Sequence, residues 1–172
     1  MSAAVAPQRF VVAPVSAVPE GGRIIVEAGG REIGIFRVDG EFHAFLNRCP
    51  HLGGPLCEGE MLGLIESDGP GDIRLDAGHR MLTCPWHGWE FDIKTGQSYC
   101  DPARMRARRY PVAVEHGEAI VDGEADGPGG RRKGPYVAEV IPISVEDDYL
   151  VLTMRPGSGG ASAYPATRGT RR

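Results

Sequence analysis

Two dipeptides, Gly29-Gly30 and Asp39-Gly40, divide the apolar stretch "RIIVEAGGREIGIFRVDGEFHAFLN" into three runs and constrain the fold more than any other feature. Both pairs suit two-residue hairpin turns, because the backbone in such turns needs positive φ. Downstream, "DGPGD" at 68–72 is typical of a further turn. These features predict strands near 9–13, 23–28, 31–38 and 41–46, with shorter strands at 89–93 and 110–114.

The rest of the chain also favours strands over helices. The 172 residues include 25 glycines and 14 prolines, and no segment has a helical period over more than a turn or two. Segments 109–121 and 139–152 each show apolar alternation around a charged turn and predict two adjacent hairpins. The predicted fold class is therefore all-β. We expect one domain over 1–154, with a surface loop at 122–134, a C-terminal hairpin extension at about 135–154 and a disordered tail at 155–172.

Charge and hydropathy argue against two broad classes of function. The chain has 19 basic and 23 acidic residues and a net charge of −4, which argues against binding nucleic acid. No apolar run approaches the roughly 20 residues of a membrane span. The first residues, "MSAAVAPQRF", lack a secretory signal. We therefore expect a cytoplasmic protein whose four cysteines are thiols or metal ligands rather than disulfides.

Two loops carry the residues with distinctive chemistry. The stretches "CPHLGGPL" and "CPWHGWEF" contain the pairs Cys49-x-His51 and Cys84-x-x-His87. A zinc ion accepts two Cys and two His, but such sites usually take both cysteines from one element and both histidines from another. One thiolate and one imidazole per loop suit a binuclear cluster better, with the thiolates on one metal and the imidazoles on the other. A nucleophilic Cys84–His87 pair is the weakest alternative, since no orienting Asn or Asp motif stands out.

The two loops resemble the cluster-binding loops of Rieske [2Fe–2S] proteins, with the C-x-H and C-x-x-H pattern intact. The stretch "DIKTGQSYCDPARMRARRYPV" resembles the segment after the second loop in Rieske ferredoxins, so that the resemblance covers roughly residues 9–121. It implies a Rieske-like antiparallel β-sandwich with a small cluster-binding subdomain, at about 47–100, formed by the two loops. It also implies one [2Fe–2S] cluster per chain, with Cys49 and Cys84 on one iron and His51 and His87 on the other. The residues expected around the cluster are Leu52, Gly53, Gly54, Pro85, Trp86, Gly88, Trp89 and Phe91.

The neighbours of these ligands bear on the redox potential. Two ferric ions, two sulfides and two thiolates carry no net charge, so this cluster is easier to reduce than a four-cysteine cluster, at about −150 to +300 mV. High-potential Rieske proteins have a serine and a tyrosine that hydrogen-bond the cluster sulfurs, where this chain has Trp89 and Phe91. They also have a disulfide between the loops, where this chain has Gly54 and Trp86. Both departures predict a potential near the low end of the range.

The resemblance implies an electron carrier, and we expect no catalytic residue. Terminal oxygenases add a domain whose mononuclear iron needs two His and one carboxylate, whereas only the widely spaced His43, His79 and His116 remain here and the chain is too short. We expect single electrons to pass from a flavin-dependent reductase to a terminal oxygenase. The alternatives are a zinc-stabilised binding module and a small subunit bound permanently in a nitrite-reductase-like or oxygenase complex. The 32 residues between His51 and Cys84 leave room for such an interface.

The other suggestive residues have plainer interpretations. Cys57 and Cys100 are expected to be buried, inert thiols, and His43 to be a strand side chain. The two tryptophans are expected to shield the cluster from water. The arginine-rich runs at 104–110 and 131–133 are more typical of a solvated face than of a docking patch for an acidic partner.

Overall fold

The computed structural model describes residues 7–122, 136–138 and 146–155. These residues form eleven strands: β1 (Gln8–Pro14), β2 (Arg23–Ala28), β3 (Arg31–Val38), β4 (Glu41–Leu46), β5 (Glu60–Gly69), β6 (Asp72–Thr83), β7 (Glu90–Asp92), β8 (Arg109–Tyr110), β9 (Val112–His116), β10 (Tyr136–Ala138) and β11 (Asp148–Met154). They also form 3-10 turns at Val15–Ala17 and Leu56–Glu58 and one short helix, α1 (Gly117–Asp122). The predicted all-β class is confirmed. No helix in this part of the chain is long and apolar enough to cross a membrane.

The strands form three sheets. The first has the order β10-β1-β11-β9, the second β2-β3-β4-β8 and the third β5-β6-β7. Apart from the parallel pair of β1 with β10, neighbouring strands run antiparallel. The second sheet lies in the middle of the molecule and packs on one face against the first sheet and on the other against the third.

The turns of the second sheet are those that the glycine dipeptides predict. Gly29 and Gly30 have φ of +57° and +69°, and Asp39 and Gly40 have φ of +54° and +77°. Each pair joins two strands in perfect register, so that Ala28 faces Arg31 and Val38 faces Glu41. The four predicted strands at 9–13, 23–28, 31–38 and 41–46 are confirmed to within a residue at each end.

Strand β3 is buried on both of its faces. Its alternate residues Ile33 and Ile35 belong to the core shared with the first sheet. Phe36 and Val38 point to the opposite face and belong to the core shared with the third sheet. Position 34 lies on this second face, and it is a glycine because a Cβ there would overlap the Cys57 side chain.

The third sheet contains a long hairpin made by β5 and β6. Its base, residues 60–63 and 80–83, pairs in one register, and a bulge at 77–79 shifts the pairing beyond it. The turn at 70–71 agrees with the predicted "DGPGD" turn. We call residues 64–76 the outer arm; almost all of its side chains are exposed or half-exposed.

The C-terminal strands pair differently from the prediction. The hairpin predicted at 109–121 is wrong, because the chain continues from β9 into α1 and β9 pairs with β11. Strands β10 and β11 lie on opposite sides of β1 and do not pair with each other. The hairpin predicted within 139–152, in the C-terminal extension at about 135–154, stays a prediction, because its first half lies outside the described residues. The chain forms α1 after β9 because β11 is buried on both faces and Ile120 from α1 covers its outer face. The predictions for 123–134, 139–145 and 156–172 fall outside the described residues.

Candidate metal centre

The first loop follows β4 and turns back on itself around Cys49. The Cys49 amide donates a hydrogen bond to the Gly54 carbonyl (2.7 Å), and the Gly53 amide donates to the Cys49 carbonyl (2.9 Å). Gly53 has a φ of +80°, which is favourable only for a residue without a side chain. The loop begins at Asn47, whose buried side-chain oxygen accepts a hydrogen bond from the Cys57 amide (2.7 Å).

The second loop follows β6 and repeats this backbone arrangement. The Cys84 amide donates to the Trp89 carbonyl (2.7 Å), and the Gly88 amide donates to the Cys84 carbonyl (3.0 Å). Gly88 has a φ of +69°. The two loops therefore share a C-P-x-x-G pattern. The histidine is the third residue of this pattern in the first loop (His51) and the fourth in the second loop (His87). This shared pattern is a sequence signal that the ligand spacing alone misses.

The two cysteines of these loops are buried side by side. Burial, together with the neighbouring Cys84 thiol, raises the pKa of the Cys49 thiol to about 11, although backbone amides of His51 and Leu52 that donate to the sulfur oppose the rise. A thiol bound to a metal is deprotonated outright. These two amides are placed to stabilise a thiolate.

The two histidines of the loops lie edge to face. Their ring centroids are 5.0 Å apart and their planes meet at 88°. The Nδ1 atom of His51 is buried and has no hydrogen-bond partner among the described residues, which is costly for a polar atom unless another group binds it. The His87 ring is exposed.

The donor set and its surroundings fit a [2Fe–2S] cluster. The described residues contain no group of three or more His, Cys, Asp or Glu side chains close enough to hold a single metal ion. The donors form two pairs instead, a pair of buried thiols and a pair of imidazoles, with an unpartnered nitrogen on His51. Thiolates and imidazoles are the ligands that the two irons of such a cluster take.

The aromatic residues around the loops have different positions. The Trp86 ring is 58% exposed and lies beside His87, with ring centroids 6.3 Å apart. It also covers Gly54, where a Cβ would lie 2.9 Å from the indole. Trp89 is half-buried with its ring centroid 5.3 Å from that of His51. Phe91 is fully buried in the core shared with the second sheet, whereas Leu52 and Pro85 are exposed.

Several residues that support the loops are not marked by any pattern in the sequence. Gly59 lies against the Thr83 carbonyl, one residue before Cys84, and a Cβ at this glycine would overlap that oxygen. The Arg23 guanidinium donates to the carbonyls of Glu58 and Gly59 and ties this segment to the second sheet. No local pattern marks these contacts, since each joins segments at least 24 residues apart in the chain.

The predictions were a buried thiol for each of Cys57 and Cys100 and a strand side chain for His43. Cys57 is buried, as expected, and burial raises its pKa to about 12. Cys100 is exposed, so its predicted burial is wrong; it lies in an irregular loop after β7 rather than on a strand. His43 is a buried strand residue, as expected, and burial, with a contribution from Arg109, lowers its pKa.

Comparison with known proteins identifies the family. The family model described as "Rieske [2Fe-2S] domain" matches residues 8–111. The chain belongs to this Rieske family. The predicted resemblance is therefore confirmed, as is a Rieske-type [2Fe–2S] cluster as the cofactor. The family match covers both C-P-x-x-G loops and ends after β8.

The relatives agree with this family and add detail. The chain is 33% identical to the 3-phenylpropionate/cinnamic acid dioxygenase ferredoxin subunit of Escherichia coli K12 over 114 residues, which are 66% of this chain and 92% of that protein. It is 29% identical to the ferredoxin component of a naphthalene 1,2-dioxygenase system of Pseudomonas aeruginosa over 105 residues, 61% of this chain and 86% of that one. The fold is similar to that of the terminal oxygenase of carbazole 1,9a-dioxygenase from Novosphingobium sp. KA1. That match has a TM-score of 0.50 and 19% identity and covers 88% of this chain and 31% of that one.

Proposed function

We propose that this chain carries single electrons on one Rieske [2Fe–2S] cluster from a flavin-dependent reductase to a terminal oxygenase. The observation that carries the proposal is the meeting of the two C-P-x-x-G loops, which brings two buried thiols and two imidazoles together with one imidazole exposed. The names of the relatives support it, since both are ferredoxin parts of dioxygenase systems. The chain is then an accessory component with no catalytic residue of its own, working in the cytoplasm, where an exposed thiol such as Cys100 persists.

We assign Cys49 and Cys84 to one iron and His51 and His87 to the other. The cluster supplies reversible uptake of one electron, which is easier with two neutral imidazoles than with four thiolates. The protein keeps water from the thiol side, because both cysteines are buried in the same core as Leu82 and Phe91. It leaves the imidazole side open at His87, where a redox partner can approach.

The surroundings of the proposed ligands support a potential near the low end of the Rieske range. Phe91 is buried and has no hydroxyl to donate to a sulfur. Neither Gly54 nor Trp86, whose indole lies over Gly54, is a cysteine, so no disulfide joins the two loops at these positions. Fewer hydrogen bonds leave the reduced cluster less stabilised. We expect a one-electron titration with a midpoint in the lower part of about −150 to +300 mV, and a midpoint above about +100 mV contradicts this part of the proposal.

Metal analysis and electron paramagnetic resonance test the ligand assignment. The dithionite-reduced protein should show the low average g-value of a His-ligated cluster, and each chain should hold two irons and two sulfides. Cys84→Ser and His87→Ala should each lose this signal. The matched controls are Cys100→Ser and His116→Ala, which replace a free exposed cysteine and an exposed histidine outside the loops. A colourless protein that binds zinc, or a cluster retained unchanged in both ligand variants, contradicts the assignment.

One observation favours a second candidate, a subunit bound permanently within a larger oxidoreductase. The outer arm exposes Ile65, Ile73 and Leu75, which are between 62% and 75% accessible. Exposed apolar side chains close together are typical of surfaces that contact another protein. Native-size chromatography of the untagged protein from its own cells separates the candidates: a free carrier elutes near 18.5 kDa, whereas a bound subunit co-elutes with its complex.

A further inference from the structure

The first loop forms one wall of a cleft that the electron-carrier role does not by itself explain. The cleft has a volume of about 400 Å³ and runs from Leu46 along the loop to Gly53. Cys49 and His51 line it, so it opens directly beside the proposed cluster ligands. The opposite wall is made by Arg106 and Arg108.

Three arginines surround this cleft. Arg106 and Arg108 face it together because they flank Ala107, which points the other way into the core. The segment is held in place by hydrogen bonds from the Leu46 amide to the Arg108 carbonyl (2.9 Å) and from the Ala107 amide to the Gly96 carbonyl (2.8 Å). Arg48 approaches from the first loop, where its guanidinium packs against Gly53 and occupies the space that a Cβ there would need.

The positive charge of the cleft is not neutralised by carboxylates of the residues that the structure describes. All three arginines are exposed, and none forms an ion pair with a carboxylate among the residues that the structure describes. The whole chain has a net charge of −4, so the cleft does not simply reflect a basic protein. The outer arm has the opposite sign, with Glu66, Asp68, Asp72 and Asp76 against Arg74 alone.

We propose that this arginine cleft is the docking site for an acidic surface of the protein with which the cluster exchanges electrons. Carboxylates of the partner bind between Arg48, Arg106 and Arg108, since guanidinium groups bind carboxylates in a planar, bidentate manner. A carboxylate held there places the partner against His51 on the proposed histidine side of the cluster. Complementary charge also raises the rate of encounter, by about 10-fold to 1,000-fold at low salt. The proposal rests on the electron-carrier function proposed above and names the kind of partner.

Electron transfer to two acceptors of opposite charge tests this site. The reduced holoprotein is mixed with plastocyanin, an acidic one-electron acceptor, or with cytochrome c, a basic one, and the second-order rate constants are measured by stopped flow. The variant combines Arg106→Glu and Arg108→Glu. The control combines Arg74→Glu and Arg155→Glu, which changes the net charge equally at exposed positions on other strands or strand ends. Cluster content and midpoint potential are measured first for each protein.

The cleft variant should reduce plastocyanin about tenfold more slowly than the wild type at low salt and cytochrome c faster, while the control changes both rates much less. The difference should vanish near 1 M salt, where the screening length is about 3 Å. Equal plastocyanin rates for the cleft variant and the wild type overturn the proposal. Inorganic phosphate at constant ionic strength should slow the wild type and leave the cleft variant unchanged, because it occupies the arginines that the partner's carboxylates bind; equal slowing of both proteins also overturns the proposal. A protein that holds no cluster, or that reduces neither acceptor, instead contradicts the electron-carrier function.

Discussion

The base and the outer arm of the β5–β6 hairpin are two parts of one element with opposite surroundings. At the base, Met81 and Leu82 are buried, and the strand leads directly into Cys84. In the outer arm, Ile73 is 75% exposed and Leu75 is 65% exposed. The strands are continuous, but only the base packs against the second sheet through the core that also contains both loop cysteines.

This difference shows where the proposed cluster site obtains its rigidity. A two-stranded hairpin is marginally stable on its own in water, so the outer arm contributes little to holding the loops. The base is fixed by packing and by the Arg23 hydrogen bonds to Glu58 and Gly59. Substitutions at the base should therefore affect both stability and the cluster, and matched substitutions in the outer arm should affect neither.

Alanine at Gly59 should have the largest effect. A Cβ at Gly59 would overlap the Thr83 carbonyl, whereas one at Gly69, near the tip, would meet nothing within 4 Å. Neither glycine has a positive φ, so the pair compares a backbone clash with open space. Gly59→Ala should destabilise the protein by about 4 kcal/mol or more and lower the iron content, while Gly69→Ala should change stability by less than about 0.5 kcal/mol. Thermal unfolding and iron analysis measure both effects, and equal effects at the two sites would remove the distinction between base and arm.

Two leucines of the hairpin provide the next comparison. Leu82 is fully buried in the core with Cys84 and Phe91, and Leu75 lies in the outer arm. Leu82→Ala should cost about 3 kcal/mol, from lost burial and the cavity that remains, and should speed the loss of visible absorbance in denaturant. Leu75→Ala should stay within about 0.5 kcal/mol of the wild type. A large loss in Leu75→Ala would indicate that the arm is covered in solution, as the bound-subunit candidate requires.

The sequence predicted those parts of the fold and site that depend on local chemistry. Gly29-Gly30 and Asp39-Gly40 specify their turns because few residues tolerate positive φ, and this places three strands without knowledge of the rest. The pairing of Cys and His in two loops predicts the donor set for the same reason, since the loop backbone is set by its own proline and glycine.

The parts that depend on tertiary contacts were not predictable in this way. The apolar residues of 118–121 suggested a strand, yet Ile120 lies on α1 and covers β11. Cys100 was expected to be buried by residue type alone, but its exposure follows from where the loop after β7 runs. The contact of Gly59 with Thr83 depends on how β6 packs at the base, and nothing next to either residue encodes it.

Asp92 on β7 contacts the bulge at 77–79, which lies between the base and the outer arm. It accepts a hydrogen bond from His79, in the bulge, at 2.7 Å, and others from the Thr95 amide (2.6 Å) and hydroxyl (2.8 Å). Burial alone would raise the pKa of Asp92, but these hydrogen bonds outweigh it and lower the pKa. Asp92→Asn should therefore lose about 2 kcal/mol at pH 7.

The pH dependence of this loss follows from the direction of the shift. A carboxyl whose pKa is lower in the folded state stabilises it above the unfolded value, about 3.9, and that stabilisation disappears as the pH falls through the folded value. The difference in thermal midpoint between Asp92→Asn and the wild type should still be present at about pH 5 and shrink below about pH 4. A difference that persists at pH 3 would mean that the asparagine perturbs packing rather than charge.

Removing the ion pairs of the outer arm should have the smallest effect. Arg74 pairs with Asp68, and its guanidinium lies 3.7 Å from the Asp72 carboxylate. All three side chains are at least half-exposed, so solvent and salt screen the attraction, and such pairs contribute about 0 to 0.5 kcal/mol. Arg74→Ala should shift the thermal midpoint by about 1 °C or less and leave the cluster's absorbance unchanged. A shift of several degrees would show that the tip of the hairpin holds the fold as firmly as its base does, and the contrast between the two would fail.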